Sequence, residues 1–186
     1  MLLHWQPGEV RHGFDQSAGV FVGVQLGEDT HAGLRAGETY NDMLSFLKQA
    51  DINLLAESHT IIDNRLVLAG RLDASPIGKY SDIKRLDTDL FIKNIESSLP
   101  VIVMDHNPAH IDTYNNNVDL ILCGHTHQGQ IFPGSLFTDN IFTVDYGYYQ
   151  KNPQSPHVIV SSGVGTWGMP MRVGTDCEIV IVQLRS

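Results

Sequence analysis

VDLILCGHTHQGQIFP, residues 118–133, joins a short apolar run to a pair of histidines set between glycines. The run is brief and aliphatic and ends in glycine, which predicts a buried strand rather than a helix. Residues two apart on an extended segment point to one side. His125 and His127 can therefore lean into a single site just past the strand's carboxyl end. Gly124 and Gly129 would let the backbone turn and approach that site closely. Two imidazoles so placed point to a metal ion. Cys123 is a soft donor beside them, but it falls where the strand is still buried, and a packed thiol is the simpler reading.

A second apolar run, Pro100-Val101-Ile102-Val103-Met104, passes directly into Asp105-His106-Asn107-Pro108. In open α/β sheets, ligand sites gather outside the carboxyl ends of the strands. If these two strands are neighbours, His106 joins His125 and His127 without contortion. A histidine like His106 on its own is more often structural. With the pair and its glycines, the three together become candidate metal ligands. Asp105 and Asn107 either orient His106 or serve ordinary turn chemistry before Pro108. His4, His12, His31, His59, His110 and His157 lack such support and read as surface or capping residues.

Elsewhere α and β signals alternate, with no repeat and no low-complexity tract. Strands are predicted over 18–25, 52–57, 59–62, 65–70, 157–163 and 178–184, with a tight turn at Asp63-Asn64. A helix is predicted over 39–50, where Thr39 and Asp42 form a capping box and Tyr40, Met43, Leu44 and Leu47 share a stripe. Another is predicted over 87–96 with Leu90, Phe91 and Ile95 inward. Such alternation predicts an α/β fold.

At 186 residues the chain fits one domain with a real core. Hydrophobic content of 42% and charged content of 18% are those of an ordinary folded protein. A net charge of −9 argues against a nucleic-acid footprint, although a bound divalent ion would reverse the sign locally. Two cysteines make no disulfide framework and favour a reducing compartment. No run has the apolar length of a membrane span, and the opening MLLHWQPGEV is too polar for a secretory signal. The expectation is a cytoplasmic protein.

Three of these stretches carry a family likeness. DHNP at 105–108, GHTHQGQIFP at 124–133 and SSGVGTWGMPMRVG at 161–174 together resemble the calcineurin-like metallophosphoesterases. The bacterial branch of small phosphodiesterases, often membrane-associated, is the nearest match. NDMLSFLKQADINLL (41–55) and LVLAGRLD (66–73) resemble that branch's helix–strand and Gly-Arg-Asp-Asp stretches, so the likeness spans residues 39 to 184. It implies a sandwich of two mixed β-sheets flanked by helices, with a dinuclear metal site at the strand ends. In that site His106 and His125 would bind one metal and His127 the other. Manganese, iron or zinc would suit imidazole and oxygen donors. Two such ions generate hydroxide near neutral pH and clamp phosphoryl oxygens, so the implied substrate is a phosphoester, and a phosphodiester before a protein phosphate. Membrane association in relatives comes through an N-terminal segment.

The departures from the family are as informative. Its Asp-x-His, Gly-Asp-x-x-Asp and Gly-Asn-His-Asp or Gly-Asn-His-Glu motifs are not found in their expected places. Asp29-Thr30-His31 spells the first of these too late in the fold, and reads as accidental. Residues 1–38 thus read as a divergent segment and 39–186 as the C-terminal part of the domain, a fold incomplete on its N-terminal side. Three functions compete. One is a phosphoesterase that carries only the C-terminal half of its site. Another is a catalytically silent remnant that binds a metal or a partner. The third, an amidohydrolase, would need its histidine pair on the first strand of a barrel of typically about 250 residues, and loses on both counts. The expectation is feeble phosphodiester hydrolysis, or none. Some side chains keep two readings. Trp167 closes over a substrate or covers the core; Arg172 touches phosphate or pairs with a surface carboxylate. Arg71 and Asp73 flank Leu72, which stands where the family has an aspartate, and their roles are open. FTVDYGYY (142–149) is a plain strand or a membrane-facing one.

Overall fold

The computed structural model of the protein describes residues 37–74, 84–95 and 97–184. The strand expected over 18–25 and the Asp29-Thr30-His31 stretch lie outside them. The chain enters through helix α1 (Gly37–Gln49), which buries Leu47 and places Lys48 at its negative end. Strands β1 (Ser58–Ile62) and β2 (Leu66–Gly70) follow as a hairpin. Its turn residues Asp63 and Asn64 both hold positive φ (50° and 53°), the conformation of the hairpin turns that favour Asn and Asp. Helix α2 (Thr88–Lys93) is capped by Asp87, whose side chain accepts from the Asp89 N–H at 3.0 Å. Then come β3 (Val101–Met104), β4 (Leu120–Cys123), helix α3 (Gly134–Ile141), β5 (Gly147–Tyr149) and β6 (His157–Val160).

The six strands form one mixed sheet in the order β1-β2-β3-β4-β6-β5. The four central strands β2, β3, β4 and β6 run parallel, and an antiparallel strand closes each edge. This is the expected α/β class. Period-two alternation assigns the faces. Val67, Ala69, Val101, Val103, Ile121, Cys123, Val158 and Val160 face one layer, closed by Phe91, Ile92 and Ile95 from α2 and its end and by Ile111, Tyr114 and Val118. Ile102, Leu120 and Ile159 face the other way, with Leu66, Leu68 and Leu122 beside them and Val180 and Val182 packed on top.

Several expectations need correction. Residues 52–57 form no strand. Leu55 instead lies against Gly70, where a Cβ would come within 2.4 Å of the Leu55 carbonyl oxygen. In α2 it is Ile92 that turns inward, while Leu90 is 48% exposed. The terminal EIVIVQL keeps a strand's alternation but pairs with no strand among the described residues. Val180 and Val182 pack on the sheet, whereas Ile179 and Ile181 are 80% and 85% exposed. Of FTVDYGYY only the last three residues form a strand.

Candidate metal centre

Parallel pairing brings the carboxyl ends of β2, β3 and β4 to one edge. Met104 sits opposite Gly70 on one side and Leu122 on the other. The ladder continues past the strands: the Arg71 N–H donates to the Met104 carbonyl (3.0 Å), Asp105 N–H to Leu122 (3.0 Å) and Gly124 N–H to His106 (2.9 Å). The chain therefore leaves all three strands in register, and the side chains that follow arrive together. One ligand atom each from Asp73, His106 and His125 lies within 4.8 Å of the others. The His106 and His125 rings meet edge to face with centroids 5.3 Å apart.

This donor set fits a divalent cation. Two imidazoles and a carboxylate match the three protein ligands that catalytic zinc sites usually keep, and suit manganese or iron as well. The Nδ1 atoms of His106 and His125 are buried without a hydrogen-bond partner among the described residues, and a cation is what such nitrogens satisfy. Burial, the largest cause, pushes the His106 imidazole down to about 4, against the opposing pull of Asp73. Near neutral pH this ring is uncharged and presents a lone pair. The sequence pointed to two candidate ligands for this position. Asp73, whose role it left open, stands beside them as a third candidate, and the same strand-end rule that selected the histidines would have found it.

His127 ends the same strand system but is not one of this triad. Its Nδ1 stands 3.2 Å from Nη2 of Arg172. A guanidinium only donates, so Nδ1 is the acceptor in that contact. The turn is bent in an unexpected way. Gly129 does hold positive φ (75°), where a Cβ would fall 2.0 Å from the Ser135 nitrogen. Positive φ also falls on His125 (70°), His127 (49°), Gln128 (53°) and Gln130 (50°), rather than on Gly124. Non-glycine residues in this region cost on the order of 1–3 kcal/mol each, and such strain clusters at functional sites.

Beneath the triad lies a buried polar network. Asp105 is fully buried, paired by two bonds with Arg85 (3.0 and 2.7 Å) and accepting from the Tyr114 hydroxyl at 2.7 Å. It is thus neither a turn residue nor a hydrogen-bond partner of His106. Asn107 does serve the turn, accepting from the Ala109 N–H at 2.9 Å to cap the 3-10 helix Pro108–Thr113. Arg71 is structural: it donates to Thr88 Oγ1 and the Leu86 carbonyl, pairs with Glu57 at 3.4 Å and lies 4.6 Å over the Phe91 ring. Cys123 is packed in the core, and burial drives its thiol well above the ordinary range.

At the rim, Arg172 pairs with no carboxylate among the described residues. It donates to the carbonyls of His127 (3.1 Å), Ser162 (2.6 Å), Gly163 (3.2 Å) and Gly165 (2.5 Å), and so ties the glycine-rich loop to the histidine turn. Gln130 adds a second tie, accepting from the Trp167 N–H and donating to its carbonyl at 2.8 Å. The Trp167 side chain is 59% exposed, which rules out its covering the core. His59 and His110 are exposed, and His157, at the start of β6, contacts the Tyr148 hydroxyl at 2.7 Å, all apart from the triad. His4, His12 and His31 lie outside the described residues.

A mixed α/β sheet with a carboxylate and two imidazoles at its carboxyl edge is the arrangement of a metal-dependent α/β protein. Residues 28–129, more than half of the chain, match the calcineurin-like phosphoesterase family, and the chain belongs to it. The matched stretch includes Asp29 and His31. An uncharacterised metallophosphoesterase of Helicobacter pylori is 36% identical over 148 residues, 76% of this chain and 38% of that protein. One from Aquifex aeolicus is 36% identical over 153 residues, 78% of this chain and 56% of its own. A transmembrane protein with metallophosphoesterase domain from Bos taurus is 29% identical over 132 residues, 69% of this chain and 30% of its own. The chain thus spans between about a third and a little over half of these relatives. No solved structure matches it significantly. Among the described residues, no helix is long and apolar enough to cross a membrane.

Proposed function

We propose that this chain carries the C-terminal half of a metal-dependent phosphoesterase site, with a phosphodiester as substrate class. The observation that supports it is the convergence of Asp73, His106 and His125 at the carboxyl edge of three adjacent parallel strands. These three residues would hold one divalent ion. His127 is supported as a ligand of a second ion only by the family likeness. A divalent ion at such a site supplies Lewis acidity and neutralises charge on phosphoryl oxygens. The chain's own contribution is to hold neutral imidazoles and a carboxylate in fixed spacing and to wall the site with the 161–174 loop. A cytoplasmic location goes with this reading and rests on the sequence alone.

A second reading is a silent remnant that binds metal without turnover. It is favoured by one observation: among the described residues, a single group of three candidate ligands is present, the number that suits one ion. The two readings separate in one experiment. The purified chain is loaded with manganese and with zinc and assayed on a chromogenic phosphodiester beside His125→Ala. Weak turnover lost in the variant supports the phosphoesterase. Stoichiometric metal with no turnover supports the remnant, and no metal at all sinks both.

A further inference from the structure

One guanidinium joins the two residues that stand immediately before Asp73 and His106. Arg85 Nη1 donates to the Leu72 carbonyl and, at 3.0 Å, to Asp105 Oδ1, while Nη2 donates to Asp105 Oδ2 at 2.7 Å. Leu72 is gripped from its other side as well, its N–H donating to Glu57 Oε1 at 2.7 Å. Asp105 is fixed by Tyr114. Glu57 also accepts from the Leu86 N–H at 3.0 Å, next to Arg85 itself, so the clamp closes on its own segment.

We propose that Arg85 is a positioning residue for the metal centre, setting the separation of Asp73 from His106 across the β2–β3 edge. This rests on the reading of Asp73, His106 and His125 as ligands. β2 and β3 are held in register only up to the Arg71 N–H, so nothing in the sheet itself fixes the backbone at Leu72. Arg85 supplies that missing rung. Its planar fork makes three bonds in one fixed geometry, which a lysine ammonium cannot reproduce. The Asp105 carboxylate is fully buried while the Arg85 side chain keeps 18% exposure, so the arginine is the group that can be altered from the solvent side.

Cobalt(II) is the probe, since its visible absorption reports coordination geometry as well as binding. The full chain, Arg85→Lys and His125→Ala are titrated with cobalt, and far-UV circular dichroism checks the fold. Loss of a direct outer partner of a metal ligand typically weakens binding about 10–100-fold; Arg85 acts one residue further out, through the backbone, so a several-fold drop is expected for Arg85→Lys, together with altered band positions and an unchanged fold. Affinity and spectrum indistinguishable from the parent chain would overturn the proposal. No cobalt binding by the parent chain, or parent-like binding by His125→Ala, sinks the ligand reading instead. If Arg85→Lys does not fold, Arg85→Met combined with Asp105→Leu carries the test. It removes the fork together with its carboxylate partner and leaves neither charge unpaired, so a several-fold weaker site with shifted bands is expected, and an unchanged site overturns the clamp.

Discussion

His106 and His125 stand edge to face with ring centroids 5.3 Å apart because their backbones are neighbours, not because their side chains reach for each other. The Gly124 N–H donates to the His106 carbonyl at 2.9 Å, one step beyond the β3–β4 ladder. The spacing of the two rings is therefore set by strand register, which the core on both faces of the sheet enforces.

Asp73→Ala should weaken zinc or cobalt binding by more than the roughly 10–100-fold that loss of an outer partner costs, because it removes a ligand outright. The fold should persist, since Asp73 lies beyond the strand ladder. Competition against a chromogenic chelator measures this. Parent-like affinity would return Asp73 to the loop and leave the ion with the two histidines as its candidate protein ligands.

Arg172→Ala should loosen the rim more than the triad. The carbonyls of Ser162, Gly163 and Gly165 lose a shared donor, and His127 loses its contact at Nδ1. Hydrogen exchange over residues 161–168 should quicken, while metal affinity at Asp73, His106 and His125 should change far less than in Asp73→Ala. An exchange pattern identical to the parent's would show that other contacts hold the loop.

Ile121 is fully buried at the centre of the sheet, whereas Ile179 is 80% exposed. Ile121→Ala should cost about 2–5 kcal/mol by lost transfer energy and an unfilled cavity. Ile179→Ala should fall within about 0.5 kcal/mol, as exposed substitutions do. Urea unfolding of both variants checks the pair. A large loss at Ile179 would mean that this side chain is covered in solution.

Cys123 and Cys177 should differ in reactivity. Alkylation needs the thiolate, and burial holds the Cys123 thiol well above its ordinary range. Iodoacetamide should therefore label the exposed Cys177 alone while the fold holds. Intact mass should show one iodoacetamide adduct on the native chain and two in denaturant. Two adducts on the native chain would place Cys123 at the surface.

Much of the fold was legible in local signals. The apolar runs at 100–104 and 118–123 became β3 and β4, Asp63-Asn64 made the hairpin turn, and His106 and His125 followed their strands directly. Strand burial and turn chemistry are short-range, so residues within a few positions suffice to read them. The limits were equally physical. EIVIVQL has the alternation of a strand, yet alternation reports only that one face is buried, and Val180 and Val182 meet that need by packing on the sheet without pairing into it.

The sequence by itself determined an α/β chain with an imidazole pair at a strand end, and through its motifs the calcineurin-like phosphoesterase family. Only the tertiary structure decided that Asp73 completes a triad, that Arg172 serves His127 and the rim, and that Arg85 spans Leu72 and Asp105. Each of these depends on which strands lie side by side or on contacts between residues far apart in the chain. Arg172 and His127 are separated by 45 positions, Arg85 and Asp105 by 20. Their chemistry can be named from residue type, but their partners are chosen by strand order and register, which are long-range properties of the packed sheet.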